Sequence, residues 1–190
     1  MSLDRPGFTD PVLHSQAAFR AVLEAMSRPG RRQSLGADLH PPARLSQAAA
    51  AVLLTLVDGD TVLHLADDTQ DAAPWLQFHA GTQLGSLEHA DFVLARTLPD
   101  LGLLAQGTDD APELSATVIL EVSGFDEGSR YVLAGPGLQS PSPVTISGLP
   151  EDFLSRWQRN HALYPTGVDL ILCHGTEIMA FPRSLTVMEA

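Results

Sequence analysis

A chain of 190 residues with 44% hydrophobic and 18% charged side chains has the composition of one globular domain, read here as residues 1–190. Its eleven basic residues are all arginine and face 23 acidic ones, and the resulting net charge of −12 excludes nucleic acid as an expected partner. With no lysine, the chain's own residues can build neither a Schiff base nor a Gly-Lys-Ser/Thr phosphate loop, so covalent pyridoxal phosphate is excluded and no cofactor is expected.

The apolar spacing of Val12, Phe19, Val22, Leu23 and Met26 predicts an amphipathic helix over 12–27, ended by Pro29-Gly30. A second helix is expected from Arg44 to Val57, closed by the turn Asp58-Gly59-Asp60. Its apolar run from Ala48 to Val57 is far short of the roughly 20 residues that span a bilayer. The start of the sequence lacks a basic region followed by an apolar stretch, so no secretory signal is read and a cytoplasmic location is expected. Thr61 to Leu65 reads as a strand with His64 outward, and residues 71–79 as a short helix with Pro74 in its first turn. Phe92 to Ala95 is a strand, and Leu98 to Leu104 a loop or helical turn.

Ala116 to Val122 is the strongest β segment, and Tyr131-Val132-Leu133 is expected to be its antiparallel hairpin partner across Gly124 to Gly128. A strand at Val144 to Ser147 and a helix from Glu151 to Leu163 follow, with Pro150 at the helix start. Val168 to His174 and Ile178 to Phe181 form a second hairpin across Gly175-Thr176. The expected architecture is α/β, a mixed sheet flanked by helices on both faces.

Arg28 and Arg183 each stand where an element meets a loop, and a planar guanidinium suits phosphate or phosphonate oxygens. The bland reading of each is a surface ion pair in an acidic protein. Gly135-Pro136-Gly137 could bring backbone N–H groups close to an anion, or could be a simple turn. His79 and His161, beside Asn160, could move protons near neutral pH, but neither has a visible nucleophile or acid partner in the sequence. Asp169 enters an apolar strand and must be solvated or paired there. No histidine pair or cysteine pattern suggests a metal, and Cys173 reads as a small buried thiol.

Several segments together resemble one family. They run from Phe19-Arg20 and Ala25 to Gly30 through Leu53 to Leu56, Trp75 with Phe78-His79, Gly107-Thr108 and Pro112-Glu113. They continue with Leu133 to Gly137, Asn160, Tyr164-Pro165, Gly167 to Leu172 and Pro182-Arg183. On these the chain is similar to the PhnH subunits of the bacterial carbon-phosphorus lyase system. The resemblance implies a homodimeric fold like that of pyridoxal-phosphate-dependent transferases, reduced in size, without the cofactor lysine. It also implies work with PhnG, PhnI and PhnL, which join methylphosphonate to ATP-derived ribose as ribose 1-methylphosphonate 5-triphosphate, before PhnJ breaks the carbon-phosphorus bond. Three roles are compatible with this: a structural or ligand-binding subunit, direct participation through an arginine-lined phosphate or nucleotide site, and an independent small-molecule enzyme.

Overall fold

The computed structural model describes residues 6–36 and 38–190. The first helix, α1 (Pro11–Ser27), starts where sequence chemistry asks it to: the Asp10 carboxylate accepts from Leu13 N–H, and Pro11 occupies the first turn, where its missing donor costs least. Its buried side is made of Ala18, Val22 and Ala25, while Val12, Phe19 and Leu23 point outward. The apolar spacing that predicts the helix is therefore shared between two faces. Helix α2 (Gln47–Leu56), N-capped by the Ser46 hydroxyl, has every residue from Ala48 to Leu53 buried. Four consecutive alanines allow this, because a helix with small side chains can be enclosed by α1, the sheet and α3 (Ala73–Ala80).

The main sheet has seven strands in the order β1-β9-β8-β5-β4-β2-β3. These are β1 (Gln33–Ser34), β2 (Val62–Leu65), β3 (Gln83–Leu84), β4 (Phe92–Ala95), β5 (Thr117–Glu121), β8 (Asp169–His174) and β9 (Glu177–Phe181). The pairings β2 with β3, β2 with β4, β4 with β5 and β5 with β8 are parallel, and those of β9 with β8 and with β1 are antiparallel, so the sheet is mixed as expected. On one face Leu63, Leu94, Ile119 and Ile171 meet the three helices. On the other, Val93, Val118, Leu120, Leu170 and Leu172 meet helix α4 (Phe153–His161) and a second sheet. That second sheet has the order β10-β6-β7 and is built from β6 (Gly124–Ala134), β7 (Ser142–Ser147) and β10 (Thr186–Glu189).

One expected pairing is corrected. β5 is not the hairpin partner of residues 131–133; it lies between β4 and β8 and is parallel to both, with Thr117 opposite Phe92 on one side and Asp169 on the other. Its unbroken Val-Ile-Leu run is the mark of a strand buried on both faces, which a parallel sheet with covered faces demands. Residues 124–128 are the bulged beginning of β6 and not a hairpin loop: the register with β7 jumps between Gly124 and Ser129. The hairpin of β8 and β9 stands as expected, with Cys173 opposite Ile178. Among the described residues no helix is long and apolar enough to cross a membrane.

Candidate functional site

Of the residues singled out in the sequence, Arg28 and Gly137 are brought to one place. They line an open cavity of about 460 Å³ together with Arg31, Gln139 and Ser140. The close approach is enforced at Gly137, whose φ is +85° and where a Cβ would stand 2.2 Å from the Ser27 carbonyl oxygen at the end of α1. Gly30, with φ +81°, lays the chain leaving α1 onto Leu133 and Val144 of the small sheet in the same way. Arg28 and Arg31 share one carboxylate, Glu24, at 2.8 and 3.4 Å, and both remain more than half exposed. Their position just beyond the C-terminus of α1 also complements the negative end of the helix dipole.

A second cavity of about 330 Å³ adjoins the first, sharing Gly30 and Pro143 with it. Arg32 and Arg130 line it, opposite Asp126 and Thr145. Arg32 is held firmly: its guanidinium lies 5.5 Å from the centre of the Phe125 ring, donates to the Phe125 carbonyl and pairs with Asp126 at 2.8 Å. Arg130 is exposed, and although its backbone is paired with Thr145 in the ladder of β6 and β7, its side chain has no hydrogen-bonded or ion-paired partner among the described residues. Arg31, Arg32 and Arg130 were not singled out by sequence. The signal available was the Arg-Pro-Gly-Arg-Arg run at 28–32 in a lysine-free chain; nothing local connects Arg130 to it.

Arg183 is placed elsewhere and faces inward. Its backbone N–H and its Nε and Nη2 groups donate to the Asp169 carboxylate at 2.7, 3.2 and 2.5 Å, and Nη1 donates to the Pro112 carbonyl at 2.6 Å. Both side chains are mostly buried. Asp169 is thereby the paired carboxylate that its apolar strand requires. Asn160 is buried, and its side-chain amide completes the Val168 backbone, donating to the carbonyl and accepting from the N–H, each at 2.8 Å. The ring of His161 bonds to the Arg183 carbonyl at 2.9 Å. His79 packs edge-on against Phe78 and tilted against Trp75. Gly135 runs beside the backbone of Ser184 and Leu185, so the Gly135–Gly137 loop bridges the end of α1 and the segment after β9.

A third group, absent from the sequence reading, lies where the parallel strands end. Arg96 follows β4, Glu121 ends β5 and His174 ends β8, with Asp68 in the turn after β2. The Glu121 carboxylate accepts from Ser46 N–H at 2.7 Å, tying β5 to the start of α2. Burial pushes its pKa up, partly offset by that N–H and by Arg96. Burial also pushes the Cys173 thiol well up, helped by Glu121 beside it. The chain goes outward from β2 to β3 and returns on the other side of β2 as β4, the kind of crossing point at which open α/β sheets form crevices. Among the described residues, no group of three histidine, cysteine or acidic side chains is placed to hold a metal ion.

Residues 6–188 match the family model described as bacterial phosphonate metabolism protein (PhnH), and the chain belongs to that family. A curated relative from Rhizobium meliloti, the alpha-D-ribose 1-methylphosphonate 5-triphosphate synthase subunit PhnH, is 33% identical over 183 residues, covering 93% of this chain and 92% of the relative. The putative C-P lyase subunit protein HtxG of Stutzerimonas stutzeri is 36% identical over 177 residues, covering 89% and 83%.

Proposed function

We propose that the chain works as one subunit of a carbon-phosphorus lyase system and supports the synthesis of ribose 1-methylphosphonate 5-triphosphate from ATP and methylphosphonate. The observation that carries this is the match to the Rhizobium meliloti subunit, which covers 93% of this chain and 92% of the relative. PhnG, PhnI and PhnL are the partners in the transfer and PhnJ in the later cleavage. The subunit acts in the cytoplasm, as a homodimer or within the larger assembly. Its mixed sheet is taken as a reduced form of the pyridoxal-phosphate-dependent transferase fold, retained in a chain with no lysine.

Two features favour a structural or ligand-binding role over independent catalysis. Nδ1 of His64, His161 and His174 is in each case hydrogen-bonded to a backbone carbonyl, and Nε2 of His161 lies 3.4 Å from the Thr186 hydroxyl, so these rings are engaged in tying loops and strands together. Val12, Phe19 and Leu23 form an exposed apolar stripe along α1, the kind of surface that a partner covers. Tagged chain, co-expressed with PhnG, PhnI, PhnJ and PhnL, is expected to purify in a stable complex, and methylphosphonate transfer is expected to fail when it is omitted. Elution of the chain alone, with full transfer by the remaining subunits, would reopen the independent-enzyme reading.

A further inference from the structure

Four of the eleven arginines converge on one groove: Arg28 and Arg31 on its first cavity, Arg32 and Arg130 on the adjoining one. The ion pairs formed by these arginines involve three carboxylates, Glu24, Asp126 and Glu177. Four cations against three anions leave a local positive excess on a chain whose net charge is −12. The helix dipole accounts for Arg28 and Arg31, but not for Arg32 and Arg130, which belong to the side facing β6 and β7.

We propose that this groove binds an oligophosphate, a run of two or three phosphates carried by a small molecule. A lone phosphate spans one or two guanidinium groups, whereas cations set along two joined cavities match a chain of anionic groups. Arg32 is pre-organised by the Phe125 ring and carbonyl, so less side-chain freedom is lost when it meets a ligand. Among the described residues, Arg130 is the one of the four whose guanidinium is in no ion pair. The wall between the cavities is Gly30 and Pro143, and Ser140, Ser142 and Thr145 bring hydroxyl groups along the rim. Long polyanions are disfavoured by the acidic remainder of the surface, which a short ligand confined to the groove does not meet.

The test uses the isolated full-length chain, so its outcome is independent of whether the chain assembles with other subunits. Inorganic tripolyphosphate, pyrophosphate and orthophosphate are titrated calorimetrically at low and moderate salt. Tripolyphosphate is expected to bind most tightly and orthophosphate most weakly, with affinity falling as salt rises. Arg130→Ala and Arg31→Ala are each expected to weaken tripolyphosphate binding about tenfold. Arg130→Lys is expected to lose less than Arg130→Ala, because the charge is kept and only the planar fork is lost. Arg159→Ala, in a different cavity beside α4, serves as the control and is expected to bind as the unmodified chain does. Arg31 and Arg130 are both exposed, so folding is expected to be intact by circular dichroism. Failure to bind tripolyphosphate at millimolar concentration overturns the proposal. So does an affinity unchanged by both substitutions, or one reduced equally by Arg159→Ala.

Discussion

Asp169 and Arg183 illustrate how a residue attractive for ligand chemistry can be fully occupied by the fold. Three donor groups of one arginine converge on one carboxylate, and the remaining arm reaches the Pro112 carbonyl across to the turn before β5. The pair pins the start of β8 to the segment after β9. Arg183→Ala leaves a mostly buried carboxylate with only a backbone N–H partner, and breaking such pairs costs about 3–5 kcal/mol. We expect a destabilisation of about 3 kcal/mol in urea unfolding, with any loss of complex activity following the loss of folded protein. A variant with an unchanged urea midpoint but no activity would instead place Arg183 in ligand chemistry. Such roles were half-legible in the sequence. A carboxylate entering an apolar strand announces that it needs a partner, but nothing in the order of residues says that the partner is Arg183, fourteen positions on and beyond a hairpin.

At the scale of elements, Glu121 joins two pieces that are 75 residues apart, the end of β5 and the start of α2. Its carboxyl pKa lies above the ordinary value of 4.5, because burial disfavours the charged form more than Ser46 N–H and Arg96 favour it. The folded chain therefore binds more protons at this site than the unfolded chain over the interval above 4.5. The stabilising contribution is complete below that value and is lost as pH rises through the native pKa. Glu121→Gln keeps an acceptor for Ser46 N–H and removes the titration. The stability of this variant relative to the unmodified chain is thus expected to rise as the pH is raised above 4.5, as measured by urea unfolding at each pH. A difference that is flat with pH, or that falls, would show that the carboxylate is charged and well compensated in the fold. Sequence reasoning missed this junction because Glu121 looks like an ordinary polar residue closing a strand; its burial follows from the seating of α2 against the strand end.

For the whole molecule, the order of elements was readable and their partners were not. Helices and most strands show themselves through local periodicity, but the assignment of β6 to a separate sheet depends on β7 and on β10, which pairs Thr186 through Glu189 with Tyr131 through Ala134. The assumed hairpin put β6 in the main sheet because short connections favour antiparallel neighbours; the continuous burial of β5 by layers on both faces overrides that preference. The arginine groove has the same origin, since it exists only where the loop after α1 crosses the ribbon of β6 and β7. Two cores on opposite faces of one sheet could in principle melt separately, yet the strands are shared: Ile119 and Ile171 face one core, and Leu120 and Leu172 the other. Neither core can dissolve without exposing one face of β5 and β8, so we infer a single cooperative domain. The two tryptophans report on this directly, because Trp75 lies in the helical core and Trp157 in the core beneath α4. In Trp157→Phe the remaining fluorescence follows the first core, and in Trp75→Phe it follows the second. Within each variant, the urea transition seen by fluorescence is expected to coincide with that seen by far-ultraviolet circular dichroism. Separated midpoints in either variant would mean that one face unfolds ahead of the other, with the main sheet surviving on a single covered side.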